Sequence, residues 1–301
     1  MKQIDYIKIK VNNVDTLNTT YLVEHPTIKN RYHFNFPKNG FNGRPLFGKN
    51  IEIYHNNSTL YLKCSLPYLV YGHNHIEFNA IEAKDVLVYI SSLLNVNLLL
   101  GIVVDFEVGY IYSSTLPFKE LCHTISGIQG MDLQKKTNSF LAYGHKNKQF
   151  KLYNIYANLK RKVSKSVFNS IENLSPNNVK LELKFTKDHR YSVCEFLDIG
   201  YQLAFNELDD LLQHHIQQVS HIYNGVKFDD ILYMTLLKAN KYTHKNVDEM
   251  VLDTIATIDA TPSQKSARRL ALRQKQAQIK HNQNQSFIQY FKEPSYMDLH
   301  F

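Results

Sequence analysis

Residues 98–108 constrain the fold more than any other stretch of this chain. Leu98-Leu99-Leu100-Gly101-Ile102-Val103-Val104 is an unbroken apolar run that passes into Asp105-Phe106-Glu107-Val108. The longest apolar window around it, Leu93 to Val104, holds two asparagines and falls short of the ~20 residues a bilayer span needs. A run this short and this apolar predicts a strand covered on both faces. The two-residue period then sets Val104, Phe106 and Val108 on one face and projects Asp105 and Glu107 together from the other. Two carboxylates side by side on a strand suit a hard divalent cation, Mg²⁺ or Mn²⁺, which takes oxygen ligands. The plainer alternative is a solvated strand face.

The flanking sequence supplies more strands and fewer helices. Tyr6 to Val11 alternates apolar and basic residues, and Arg31 to Phe36 alternates before Pro37-Lys38-Asn39-Gly40. Ile51 to Tyr54 and Thr59 to Lys63 flank His55-Asn56-Asn57-Ser58, the pattern of a hairpin. Helical spacing of Val86, Ile90, Leu93 and Leu94 predicts a helix over 80–94, and Pro117 to Gly127 a short second one. Strands follow over 139–143, 149–156 and 179–187, the last introduced by Ser175-Pro176-Asn177-Asn178. From about Leu203 the pattern turns helical to the end, with helices expected over 203–223, 228–240, 246–258 and 263–284. The expected fold class is α+β: a mainly antiparallel sheet with helices packed on one face, followed by a helical C-terminal region. A composition shift near 195–203 divides the chain into an expected catalytic domain, 1–197, and a helical domain, 198–301.

Composition excludes several classes. A hydrophobic share of 44% supplies a core and rules out global disorder. Cys64, Cys122 and Cys194 are odd in number and widely spaced, which fits a reducing compartment better than a disulfide framework or a zinc site. Met1-Lys2-Gln3-Ile4-Asp5 carries no hydrophobic signal core, so secretion is not expected, nor is a membrane partner. The net charge of +8 favours a polyanion.

Three further segments carry chemistry. In Val179 to Phe185 the odd positions are apolar, so Lys180, Glu182 and Lys184 share the other face, where Glu182 extends a carboxylate cluster and the lysines meet phosphate oxygens. Such a Lys-Glu-Lys face is also a common solvated one. In Phe150 to Tyr156, Lys151, Tyr153 and Ile155 share a face. A tyrosine hydroxyl beside a cation and a lysine is able to attack phosphorus and form a phosphotyrosine, with help to overcome a phenol pKa of ~10. Tyr71-Gly72-His73-Asn74-His75 sets two histidines at metal-ligand spacing, but a polar turn between strand and helix is the favoured reading.

Taken in order, these segments resemble the filamentous-phage gene II replication proteins and their plasmid relatives, the II/X family. The resemblance runs through Ile4-Asp5-Tyr6-Ile7-Lys8-Ile9, Leu60 to Pro67 with Tyr71-Gly72-His73-Asn74, Val104 to Glu107, Lys151-Leu152-Tyr153 and Leu181 to Lys184. It covers about residues 1–190. It implies a rolling-circle replication initiator: a metal-dependent nickase that cuts one strand at the origin, keeps the 5′ end on a tyrosine and rejoins the displaced strand. Carried over, Tyr153 is the nucleophile and Asp105 and Glu182 are the acids that hold Mg²⁺ or Mn²⁺; beside them Glu107 is a candidate third metal ligand or base, and Lys151 and Lys184 are candidate catalytic lysines. The implied partners are origin DNA, single-stranded and duplex, with a host helicase and polymerase in a bacterial cytoplasm. The chain departs from the family pattern at Val103, Ile155 and Lys180, where the family carries Arg, Lys and Arg. Tyr156, with Lys160 four residues on, is the alternative nucleophile, and an initiator that binds its origin without cleaving is the alternative function.

Between Asp259 and Glu293 there is no acidic residue. Lys265, Arg268, Arg269, Arg273 and Lys275 fall in this stretch among Gln and Ala, which form helices readily. The expectation is a basic helix lying on DNA phosphates; a solvated terminal helix is the plainer reading.

Overall fold

The computed structural model describes residues 1–187, 190–218, 261–283 and 291–292, with single positions at 252 and 256. In chain order the N-terminal elements are β1 (Lys2–Val11), β2 (Leu22–Glu24), β3 (Arg31–Phe34), β4 (Ile51–Asn56), β5 (Thr59–Ser65), α1 (Leu66–Tyr71) and α2 (Ala80–Leu94). There follow β6 (Ile102–Ser114), α3 (Phe118–Thr124), β7 (Ile125–Ile128), β8 (Asp132–Thr137), β9 (Phe140–His145) and β10 (Lys148–Asn154). Then come α4 (Ile155–Lys162), α5 (Lys165–Ser170), β11 (Asn178–Phe185), a helical run over 193–215, β12 (Ile216–Gln218), and a helix at Pro262–Gln283.

Ten strands align in the order β2-β3-β4-β5-β1-β6-β11-β10-β9-β8, and Phe291–Lys292 pairs with the end of β6. Every pairing in this sheet is antiparallel. β7 and β12 form a separate ribbon. The fold is α+β. β6 is central, between β1 and β11, as an apolar strand covered on both faces requires.

The main core lies on one face of the sheet. Ile7 and Ile9 of β1, Phe106 and Val108 of β6, and Leu181, Leu183 and Phe185 of β11 pack there. Ala83, Val86, Leu87 and Ile90 of α2 and Phe196, Phe205 and Leu208 of the 193–215 run cover them. Phe106 stacks on Phe185 and tilts against Phe196, each at 4.6 Å between ring centres. A smaller cluster on the opposite face joins Ile111, Tyr153, Ile155 and Leu159, with Tyr68, Phe140 and Phe168 against it. Thus α4 and α5 wall one side of that face and leave the rest for polar groups.

The local chemistry explains where elements start and stop. The Asn79 side chain accepts from the Glu82 backbone N–H at 3.0 Å while Glu82 accepts from Asn79 N–H at 3.2 Å, a reciprocal cap that starts α2 at the expected residue. The strand expected from Leu98 begins only at Ile102, because Asn97 caps a short 3₁₀ turn over Leu98–Leu100 through Leu99 N–H at 3.1 Å. The strand expected over 149–156 ends at Asn154, whose side chain accepts from Ala157 N–H at 2.8 Å and opens α4. Tyr156 is therefore helical, with its ring against Phe168. The helix expected over 117–127 is confined to Phe118–Thr124 and gives way to β7.

The C-terminal helical pattern starts earlier than expected. Ser192 and Glu195 form a second reciprocal cap at the head of the 193–215 run, which therefore spans the expected boundary at 195–203. The run ends at His215, where β12 turns to pair with β7. The helix expected over 228–240 lies outside the described residues, as does that over 246–258 except for Leu252 and Ala256, both helical. That expected over 263–284 is the Pro262–Gln283 helix, capped by Thr261 and Gln264. Among the described residues no helix is long and apolar enough to cross a membrane.

Candidate active site

Four adjacent strands bring polar side chains to the sheet face opposite the main core. The register sets Lys151 of β10 opposite Glu182 of β11 and Tyr153 opposite Lys180. It sets Lys184 opposite Glu107 of β6 and Glu182 opposite Gly109. A Cβ on Gly109 would lie 2.6 Å from the Leu181 carbonyl oxygen and 3.1 Å from Glu182 Cγ, so glycine leaves the room Glu182 occupies.

β1 contributes through a bulge. Ile4 pairs with Val108 and Tyr6 with Glu107, leaving Asp5 as the extra residue between them. A bulge re-aims side chains. Here Ile4 and Ile7, three apart, both reach the main core, and Asp5 joins the polar face.

One carboxylate oxygen each from Asp5, Glu107 and Glu182 lies within 4.8 Å of the others, and all three residues are buried. Lysines thread the cluster. Lys180 Nζ lies 2.6 Å from Asp5 Oδ2 and 3.0 Å from Glu182 Oε1. Lys151 Nζ lies 2.8 Å from Glu107 Oε2 and 3.3 Å from Glu182 Oε2. Lys184 Nζ reaches Glu107 Oε1 at 3.1 Å. Ser65 donates its hydroxyl to Asp5 Oδ1 at 3.0 Å. The Tyr153 hydroxyl donates to Glu182 Oε1 at 2.7 Å, and the Asn74 amide donates to Asp5 Oδ2 at 3.3 Å and to the Tyr153 oxygen at 3.4 Å.

Burial and charge pull these groups apart in acidity. Burial pushes Asp5 up to about 6 against the pull of Lys180, with Glu182 and Glu107 adding to the rise. Burial also raises Glu182, but the ammonium groups of Lys180 and Lys151 outweigh it and hold this carboxyl well below the usual range. Burial, then the charges of Glu182 and Asp5, push the Tyr153 hydroxyl well above an ordinary phenol. Burial lowers Lys151, yet Glu182 and Glu107 outweigh it and keep the ammonium charged. Added positive charge is what this tyrosine lacks. Three carboxylates are hard oxygen donors, and the set fits Mg²⁺ or Mn²⁺.

The cluster forms part of the floor of a cleft of about 860 Å³. Tyr68, Phe140 and Val163 are among its apolar lining residues, and Lys49, Arg161 and Lys162, all exposed, among its basic ones. Open, polar-floored and basic-edged, it suits a phosphate-bearing chain better than a small apolar ligand.

The residues singled out from sequence fall into three groups. Glu107, Glu182, Tyr153, Lys151 and Lys184 come together. Asp105 shares their face but lies one pleat further along β6, where its carboxylate faces Lys8 at 3.7 Å and accepts from Lys187 N–H at 2.8 Å. Asp5 occupies the place expected for Asp105. Tyr156 and Lys160 lie on α4. Lys265, Arg268, Arg269 and Arg273 lie on the Pro262–Gln283 helix, where the three arginines are exposed; Lys275 falls on the same helix.

The Tyr71–His75 segment is a turn, but it joins the end of α1 to the approach to α2 rather than a strand to a helix, and Asn74 and His75 in it are buried. Gly72 ends α1 at φ +74°, where a Cβ would also strike the Phe47 ring. His73 Nδ1 accepts from His75 N–H at 3.2 Å, and neither histidine joins the carboxylate cluster. Sequence reasoning missed Asp5, Ser65 and Asn74 as members of the site, and read Lys180 as surface where it is wholly buried. The signal for Asp5 was present: Ile4 and Ile7 break the two-residue period, as a bulge does.

No family model matches the chain, and no curated protein matches it significantly. Among solved structures, the rolling circle replication initiator protein from Geobacillus stearothermophilus is similar with a TM-score of 0.39 and 10% identity. The match covers 79% of this chain and 96% of that one. A likeness at that level decides neither family nor activity.

Proposed function

We propose that the protein initiates rolling-circle replication, as the resemblance to the II/X family implies, by nicking one DNA strand and holding its 5′ end on Tyr153. The observation that carries this reading is the Tyr153 hydroxyl, hydrogen-bonded to Glu182 within a buried three-carboxylate cluster at the floor of a basic-edged cleft. Residues 1–197 carry the chemistry in this reading, and 198–301 contribute DNA contacts through the basic helix.

Asp5, Glu107 and Glu182 would hold Mg²⁺ or Mn²⁺, which supplies charge to polarise a phosphate oxygen and to offset the carboxylates. The protein's own groups do the rest. Glu182 accepts the phenolic hydrogen bond, with 2.7 Å between the oxygens, and takes the proton as the tyrosine oxygen bonds to phosphorus. The bond from phosphorus to the 3′ oxygen breaks, and that oxygen takes a proton from solvent. Lys151 keeps Glu107 and Glu182 in place, and Lys184 steadies Glu107 from the open side. Rejoining is the reverse attack by a 3′ hydroxyl, with Glu182 returning the proton to Tyr153.

The non-cleaving initiator draws on one observation: three lysines already balance the three carboxylates, as in a purely structural ion cluster. One experiment separates the two. Supercoiled plasmid bearing the cognate origin is incubated with protein and Mg²⁺ or Mn²⁺. Relaxed circles with protein on the 5′ end through Tyr153 are expected; binding with neither relaxation nor adduct would select the non-cleaving initiator.

A further inference from the structure

Asn74 is 3% exposed, and its side-chain oxygen is buried with no hydrogen-bond partner among the described residues. Buried amide oxygens are almost always satisfied, so this one calls for a cause. On the cluster side the carboxylates only accept hydrogen bonds, and the donors there, Lys180 and the Tyr153 hydroxyl, are engaged with Asp5 and Glu182. The amide nitrogen instead faces Asp5 Oδ2 at 3.3 Å and the Tyr153 oxygen at 3.4 Å, both long contacts.

The backbone beneath Asn74 is pinned. Its carbonyl accepts from the Gln3 side chain at 2.9 Å. Further on, Phe78 N–H donates to the Lys2 carbonyl at 3.1 Å, and Ile4 N–H donates to the Phe78 carbonyl at 3.0 Å. The segment after Gly72 is thus tied along β1 beside the bulge that presents Asp5. What remains free is the amide torsion, which is broad and roughly two-fold for asparagine. A half-turn of the amide puts oxygen where nitrogen now stands, facing Asp5 and Tyr153. Without a cation, nitrogen belongs there, because oxygen would face the Asp5 carboxylate. With a cation among the carboxylates, the preference reverses.

Resting on the reading of the carboxylates as a cation site, we propose that the Asn74 side-chain oxygen is a fourth, neutral ligand for the divalent cation. Mg²⁺ and Mn²⁺ favour about six oxygens, and three carboxylates alone leave the shell open. A neutral donor fills one position without adding negative charge beside Tyr153. The string Gly72-His73-Asn74-His75 then has its chemistry in the middle residue rather than in the histidines.

The test is Mn²⁺ binding to the full-length protein without DNA, read as loss of the free-ion electron paramagnetic resonance signal. Asn74→Asp keeps an oxygen and removes the amide donor; Asn74→Ala removes both. The expected result is Mn²⁺ binding weakened about tenfold or more in Asn74→Ala, and binding as tight as wild type or tighter in Asn74→Asp. Glu182→Gln is the control for the cation site and is expected to weaken binding. Unchanged binding in Asn74→Ala alongside weakening in Glu182→Gln would remove Asn74 from the shell and leave the carboxylate site standing. Equal weakening in Asn74→Ala and Asn74→Asp would overturn the proposal in favour of a donor that only positions Asp5 and Tyr153. Absence of Mn²⁺ binding to the wild type would overturn the cation site and this proposal together. If Asn74→Ala does not fold by circular dichroism, Asn74→Asp decides: weakened binding overturns the ligand role, and retained or tighter binding supports it.

Discussion

Tyr153 and Glu182, buried residues on neighbouring strands, share one hydrogen bond of 2.7 Å from hydroxyl to carboxylate. The bond ties the proposed nucleophile to its proton acceptor. Tyr153→Phe removes that oxygen and nothing else. The covalent DNA adduct should vanish while origin binding survives. Unfolding free energy should fall by about 1.5–3 kcal/mol, the range for a hydrogen bond to a charged group, as measured by urea denaturation. Tyr156→Phe should keep the adduct, because that ring packs on Phe168. An adduct peptide mapped to Tyr156 would move the nucleophile to α4.

The two aspartates separate cleanly. Asp5 touches Lys180, Ser65 and Asn74 within the cluster, whereas Asp105 pairs with Lys8 and a backbone N–H. Asp5→Asn should therefore cost at least about a hundredfold in nicking rate, and Asp105→Asn less than about tenfold. Nicking assays on one origin plasmid at saturating Mn²⁺ make the comparison. The reverse order of effects would return Asp105 to the site.

How much of this was legible in the sequence depends on which interaction decided each element. The central strand, the 51–65 hairpin and α2 follow from local periodicity and caps, and local rules read them well. Glu107, Glu182, Lys151 and Tyr153 converge because one period on three neighbouring strands selects them. Asp5 escaped because a bulge is fixed by pairing with β6 rather than by neighbours in sequence. Lys180 escaped because a Lys-Glu-Lys face reads as solvated unless α1, α4 and the turn after Gly72 are known to cover it. Tyr156 was misread as strand because Asn154, a weak signal inside a strand pattern, is a cap.

Lys180 is the cation this cluster cannot lose cheaply. It has no exposed surface and bridges Asp5 and Glu182. Lys180→Met keeps most of the volume but strands two carboxylates, and removing one partner of a buried ion pair typically destabilises by about 3–5 kcal/mol. Urea unfolding without metal should show a loss of that order. Added Mn²⁺ should recover more stability in Lys180→Met than in wild type, because the ion replaces the missing charge. An unchanged midpoint without metal would mean that the lysine and the carboxylates are not coupled.

The exposed arginines of the Pro262–Gln283 helix bear on affinity rather than chemistry. Replacing Arg268, Arg269 and Arg273 together by Ala should weaken DNA binding at low salt. The slope of log affinity against log salt should flatten by about 0.9 for each duplex phosphate that the helix no longer neutralises. Nicking at saturating DNA should stay near wild type. A slope equal to that of wild type would leave the helix solvated and outside the complex.

The three cysteines differ in a way that alkaline chemistry can read. Burial pushes the Cys64 thiol from 9.0 up to about 12, and burial, slightly offset by Lys136, does the same to Cys122. Cys194 is exposed. At pH 8 in native buffer a thiol reagent should label Cys194 quickly and the other two only on unfolding, and Cys194→Ser should abolish the fast phase. The folded chain keeps the two buried protons that the unfolded chain gives up above pH 9.0. Their contribution to stability is therefore complete below that pH and is lost as pH rises toward about 12. Tyrosines titrate in the same region, so the measurement is a difference: the stability lost between pH 8 and pH 10 should be smaller in Cys64→Val than in wild type. Equal losses in the two proteins would show that the Cys64 thiol gives up its proton as readily folded as unfolded.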